Sequence, residues 1–76
     1  MIKIKVKYFA GYRTLKGKKE ELLDVPGNST ILHLLEKTDI PGGEGLLVLV
    51  NGIKKPKTYV LKEGDEAGIF PLIGGG

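Results

Sequence analysis

The sequence predicts an α+β domain in which a mixed sheet of about four or five strands carries one short helix on one face. Three observations lead there. Ile2, Ile4, Val6 and Tyr8 alternate with Lys3, Lys5 and Lys7, the period-two pattern of a half-buried strand. Ile31, Leu34 and Leu35, with Leu32 alongside, recur at helical spacing behind Asn28, Ser29 and Thr30, whose side-chain oxygens cap helices. Leu46-Leu47-Val48-Leu49-Val50 is an apolar run of strand length closed by Asn51-Gly52, a pair suited to the left-handed backbone of a tight turn. A helical crossover lets its flanking strands run parallel, while short connections join antiparallel ones, so the sheet is expected to be mixed.

Taken in order, the first strand should turn Ile2, Ile4, Val6 and Tyr8 to the core and leave the lysines and Phe9 on the opposite face. Residues 10–18 carry two glycines and a cluster of cations, and read as a reversing loop with room for one helical turn. Glu20-Glu21-Leu22-Leu23-Asp24-Val25 makes a second strand, antiparallel to the first, and Pro26-Gly27 stops it. Thr30 is the expected N-cap of the helix, which cannot run past Asp39 because Pro41-Gly42-Gly43 follows. So short a helix holds only by packing its leucine stripe on the sheet. His33 falls on a flank of that helix and receives no role. The run 46–50 suits a strand buried largely on both faces. Residues 53–57 are basic and broken by Pro56, which fits a short edge segment. Tyr59, Val60 and Leu61 are expected to return to the core, residues 62–66 to turn, and residues 67–72 to form the last strand. In that strand Ile69 and Pro71 should face the core, and Phe70 and Leu72 the other way.

Composition excludes several classes of function. Seventy-six residues with 41% hydrophobic and 28% charged side chains describe one small globular domain. The chain has no Cys and a single His, so disulfides, thiolate catalysis, a Cys-based metal site and a histidine triad are all out of reach. No apolar run approaches the ~20 residues that span a bilayer, and the N-terminus does not read as a signal peptide, so no membrane partner and a cytoplasmic location are expected. The net charge of +3 gathers in the first quarter of the chain. A nucleic-acid partner is not expected, because the aromatic interleaving that stacks bases is sparse. Gly42-Gly43-Glu44-Gly45 lacks the Lys-Ser/Thr of a phosphate loop and no helix follows it.

The chain finishes with Ile69-Phe70-Pro71-Leu72-Ile73-Gly74-Gly75-Gly76. Residues 1–73 are expected to form the domain, and Gly74, Gly75 and Gly76 a flexible tail, since consecutive glycines stay mobile until a partner's groove orders them. Lacking Cβ atoms, the tail can thread a narrow slot and present the Gly76 carboxylate to another protein's active site. Phe9 and Phe70, both assigned to the helix-free face, make an apolar patch, which Leu72 extends and Arg13 flanks; such patches beside a functional tail are used by protein partners.

Lys7-Tyr8-Phe9-Ala10-Gly11-Tyr12-Arg13-Thr14-Leu15-Lys16-Gly17, Asp24-Val25-Pro26-Gly27 before a helix begun by Thr30, Val50-Asn51-Gly52, residues 61–66 and Phe70-Pro71 ahead of a terminal glycine pair together resemble the ubiquitin-like sulfur carriers of the MoaD/ThiS type. The likeness runs nearly end to end and points above all to the small subunit of molybdopterin synthase. It implies the β-grasp fold of ubiquitin and a carrier that is not itself an enzyme. It further implies a Gly76 carboxylate that a ubiquitin-activating-type enzyme adenylates with ATP and a sulfur donor converts to a thiocarboxylate. The implied acceptor is the large subunit of molybdopterin synthase, with hydrophobic positions matching Phe9 and Phe70 touching the partners. No cofactor is expected to stay bound, and the free carrier is expected to be a monomer. The short helix, Gly74 and Leu72 depart from the synthase pattern, which leaves thiamine synthesis, tRNA thiolation and protein modification open as destinations. A plain β-grasp interaction module with an inert tail is the remaining alternative.

Overall fold

In the computed structural model, which describes residues 1–40 and 45–71, the elements are β1 (Ile2–Tyr8), α1 (Gly11–Lys16), β2 (Glu20–Val25), α2 (Ile31–Lys37), β3 (Leu46–Val50), β4 (Ile53–Lys54) and β5 (Glu66–Pro71). Pro41, Gly42, Gly43 and Glu44, and the chain from Leu72 through the Gly74, Gly75 and Gly76 tail, lie outside the described residues. The five strands are ordered β2-β1-β5-β3-β4. β1 and β5 run parallel, from Lys5 opposite Glu66 to Tyr8 opposite Ile69, and the other neighbours are antiparallel. This is the mixed sheet that the alternation of short links and one crossover predicts.

The period-two pattern of β1 is realised: Ile4, Val6 and Tyr8 are fully buried. Ala67 and Ile69 of β5 and Val48 and Val50 of β3 join them, and Ile31, Leu34 and Leu35 of α2 close the core from above. Each buried Leu or Ile is worth about 1.5–3 kcal/mol, which holds a helix of seven residues too short to persist alone. Its first turn leaves no amide stranded. Ile31 N donates to Tyr59 O, Leu32 N to Lys57 O and Leu34 N to Thr30 O, while His33 N donates to Thr30 Oγ1. The His33 ring reaches back, its Nδ1 accepting from Thr30 N at 3.1 Å. His33 therefore fills the position that Glu or Gln takes in a capping box, a role that its polar character alone did not reveal.

Asn51 and Gly52 both have positive φ, 53° and 84°, as the turn between β3 and β4 requires. Asn51 also clamps the start of β5. Its Nδ2 donates to Asp65 Oδ1 and its Oδ1 accepts from Glu66 N, both at 3.0 Å. The buried Asp65 is further satisfied by Lys62 N at 2.9 Å.

One local expectation is extended and two change. The reversing loop forms α1, six residues ended by Gly17 in the left-handed region, and Lys16 Nζ from this helix donates to the Thr38 carbonyl at the end of α2. Tertiary contact of this kind, and not intrinsic propensity, orders a segment that has no side-chain cap and no acid in its first turn. Val60 is exposed, because it pairs with Thr30 in an isolated bridge while its neighbour Leu61 fills the core. Finally, β3 is buried on one face only, with Leu47 and Leu49 half-buried on the helix-free side.

Candidate functional site

The parallel pairing of β1 and β5 brings the ends of both strands to one side of the domain. Tyr8 closes β1 inside the core, where its hydroxyl donates to the Glu21 carboxylate. Burial, and then that hydrogen bond, raise the phenol well above its ordinary range. The same hydrogen bond, helped by Lys18 at 3.1 Å, holds the Glu21 carboxyl below its usual value. With Tyr8 fixed inward, the next residue, Phe9, must leave on the opposite face.

There it meets Phe70. The two rings are parallel to within 6° with centroids 4.1 Å apart, and each is half-buried. Beneath them lies Gly68. A Cβ at this position would come within 3.2 Å of both Phe9 Cε2 and Phe70 Cε1, tighter than ordinary contact, so glycine lets both rings lie down on the sheet. Leu49 stands opposite Gly68, and Leu47 opposite Phe70. Phe9, Phe70, Leu49 and Gly68 line a shallow hollow whose rim holds the Lys7–Glu66 ion pair, 3.0 Å long.

The chain pays a conformational cost to deliver Phe9. Ala10 has φ 51° and ψ −129°, the first central position of a II′-like turn, which glycine normally occupies. The turn is held by Tyr12 N donating to Phe9 O at 3.1 Å and by Phe9 N donating to Ile69 O at 3.2 Å. A non-glycine residue in such a region costs about 1–3 kcal/mol. Ala10→Gly is therefore expected to raise folding stability by about 1 kcal/mol once the greater entropy of unfolded glycine is deducted. Urea denaturation measures this, and an unchanged or lowered midpoint would show that Ala10 carries no strain.

Among the residues expected to act, the fold joins Phe9 and Phe70. Arg13 sits exposed on α1, its Nε donating to Tyr8 O at 3.4 Å, next to the patch but not on the sheet face. Leu72, Gly74, Gly75 and Gly76 lie outside the described residues, and Pro71, expected in the core, is half-buried. Leu47, Leu49 and Gly68 were missed as members of the patch. Only the strand register, not the run of apolar residues, assigns them to it. The lysines of β1 also prove to be neutralised: Lys3 pairs with Asp24 at 3.4 Å, Lys5 with Glu20 at 3.3 Å and Lys7 with Glu66. Half-exposed pairs of this kind add little stability, but they turn an apparently basic stripe into a balanced one.

A β-grasp body with an aromatic patch where its last strand ends finds its counterpart in sequence, since residues 6–76 match the ThiS family. The chain belongs to the ThiS family. A protein from Pyrococcus furiosus named for subunit 1 of molybdopterin converting factor is 32% identical and superposes with a TM-score of 0.84, over 96% of this chain and 100% of its own. The small archaeal modifier protein 1 of Methanosarcina acetivorans is 26% identical, with a TM-score of 0.76 over 100% of this chain and 98% of its own. Urm1 from Trypanosoma brucei shares the fold at 23% identity, with a TM-score of 0.71 over 97% of this chain and 95% of its own. No curated protein sequence matches the chain. ThiS-family proteins and their ubiquitin-like relatives are small, non-catalytic carriers and modifiers that act with activating enzymes related to those of ubiquitin and with partner proteins. Among the described residues, no helix is long and apolar enough to cross a membrane.

Proposed function

We propose that this ThiS-family chain is a sulfur carrier for the synthesis of molybdopterin, the organic part of the molybdenum and tungsten cofactors, and that it works in the cytoplasm. The Gly76 carboxylate attacks the α-phosphorus of ATP in an activating enzyme, and pyrophosphate leaves. A sulfur nucleophile then adds to the acyl carbon of the adenylate, AMP leaves with the bonding pair, and the chain ends as a thiocarboxylate. Adenylation is needed because a bare carboxylate has no leaving group. No side chain of the carrier takes part. Its contribution is to dock through Phe9, Phe70 and Leu72, flanked by Arg13, while Gly74, Gly75 and Gly76 enter the partner's cleft. The large subunit of molybdopterin synthase is the acceptor under this reading, and ATP is consumed only by the activating enzyme.

The observation that carries the reading is the Phe9–Phe70 stack seated on Gly68 at the end of the strand that leads into the tail. The molybdopterin assignment is supported by the name of the Pyrococcus furiosus relative and its near-complete overlap with this chain. A second reading, covalent attachment to protein lysines, is favoured by the likeness to the Methanosarcina modifier.

Intact mass spectrometry separates the outcomes. Incubated with ATP, an adenylating enzyme and hydrosulfide, the carrier gains the difference between one sulfur and one oxygen atom. Further incubation with the synthase large subunit and its substrate returns it to the starting mass. A chain that gains no sulfur overturns the carrier reading, and one that gains sulfur but ends on lysines of other proteins favours the modifier.

A further inference from the structure

The cations beside the aromatic face are unevenly compensated. On the helix-free face, Lys3, Lys5 and Lys7 each hold a carboxylate of a neighbouring strand within 3.4 Å. Lys54, on the edge strand β4, holds none among the described residues. Strand register puts it on the same face, directly opposite Leu49, and directly opposed side chains on an antiparallel pair have Cβ atoms about 5 Å apart. Leu49 is also a wall of the hollow under the Phe9–Phe70 stack. That hollow measures about 150 Å³, comparable to a cavity that takes up one benzene molecule. Lys7 and Glu66, which line the hollow, thus form a closed ion pair, whereas the cation of Lys54 stands beside the Leu49 wall without lining the hollow itself.

We propose that the hollow receives one apolar side chain of the activating enzyme, and that Lys54 pairs with a carboxylate presented beside that side chain. The partner's docking surface is thus an apolar anchor with an acidic neighbour on the β4 side. The Lys7 side offers a carboxylate no such gain, because Glu66 already occupies the ammonium at 3.0 Å. Arg13 lies beyond the end of β1, with its Nε bonded to Tyr8 O, and does not border the Leu49 wall. This inference rests on the carrier reading, and it names which cation of the patch the partner uses.

Lys54→Gln and Lys5→Gln each remove one positive charge from the same face, so they change the protein's overall charge equally and differ in pairing and in place on the sheet. Stopped-flow association with the adenylating enzyme is expected to slow about 3–10-fold for Lys54→Gln at low ionic strength, and less than about twofold for Lys5→Gln. The difference should close at high salt, and Lys54→Arg should restore the rate. Leu49→Ala should leave association unchanged and speed dissociation about tenfold, as loss of a docked apolar contact does. Equal slowing by both glutamine variants, or none by Lys54→Gln, overturns the role of Lys54. Unchanged dissociation of Leu49→Ala overturns the apolar anchor. If the unmodified chain neither associates with the enzyme nor gains sulfur, the carrier reading falls and takes this inference with it.

Discussion

Deletion of Gly76, or replacement of Gly75 by valine, is expected to abolish thiocarboxylate formation while leaving the melting temperature unchanged. Deleting one residue draws the reacting carbon back by about 3.3–3.6 Å, and a misplacement of even ~1 Å costs roughly a hundredfold in rate. Valine keeps the length but adds a branched Cβ to a segment that must thread a partner's cleft. Neither change touches the buried core, which runs from Ile4 to Ile69. Intact mass after reaction with ATP and hydrosulfide, beside thermal denaturation, measures both halves. A shortened chain that still gains sulfur would remove Gly76 from the chemistry, and a large loss of stability would show a tail docked on the body.

Phe9→Ala and Phe70→Ala should each weaken binding to the activating enzyme by ~1–3 kcal/mol, the loss typical of an aromatic interface anchor. Truncating a fully buried Phe costs ~3–5 kcal/mol of folding stability. Both rings here are half-buried on the face away from α2, so the folding penalty should be smaller than that. Because the rings stack on each other, the double variant should lose less than the two single losses combined. Calorimetric titration and urea denaturation on the same samples decide the matter. Folded variants that bind at full strength would end the role of the patch.

Much of this arrangement is legible in the sequence. Strict alternation in β1 assigned Phe9 to the lysine face, and the same rule put Phe70 there from β5, because a period of two leaves little freedom once one face is buried. Thr30 and Asn51-Gly52 were readable for a similar reason: each is a local backbone requirement that few residue types meet. The rest depended on contacts between distant segments. Nothing local tells Leu49 that Gly68 will lie opposite it, or Lys5 that Glu20 will neutralise it, and a run of five apolar residues reads alike whether one face or both are covered. The helical turn allowed in residues 10–18 was readable, but not its full six residues, because Lys16 reaches Thr38 across a separation that no window of sequence spans. His33 escaped because imidazole is a rare stand-in for the carboxylate or amide of a capping box.

The parallel pairing of β1 with β5 has a mechanical consequence. Tension applied between the start of β1 and the end of β5 runs along the two strands in opposite senses. The ladder from Lys5 opposite Glu66 to Tyr8 opposite Ile69 is therefore loaded in shear, and its hydrogen bonds must yield together. A pull on β4, joined to β3 at only two positions, would instead peel one bond at a time. In single-molecule stretching, the end-to-end geometry is expected to resist a clearly larger force than attachment through Lys54, and equal rupture forces would refute the shear clamp. Traction on the end of β5 that is resisted at the start of β1 thus falls on the whole β1–β5 ladder at once.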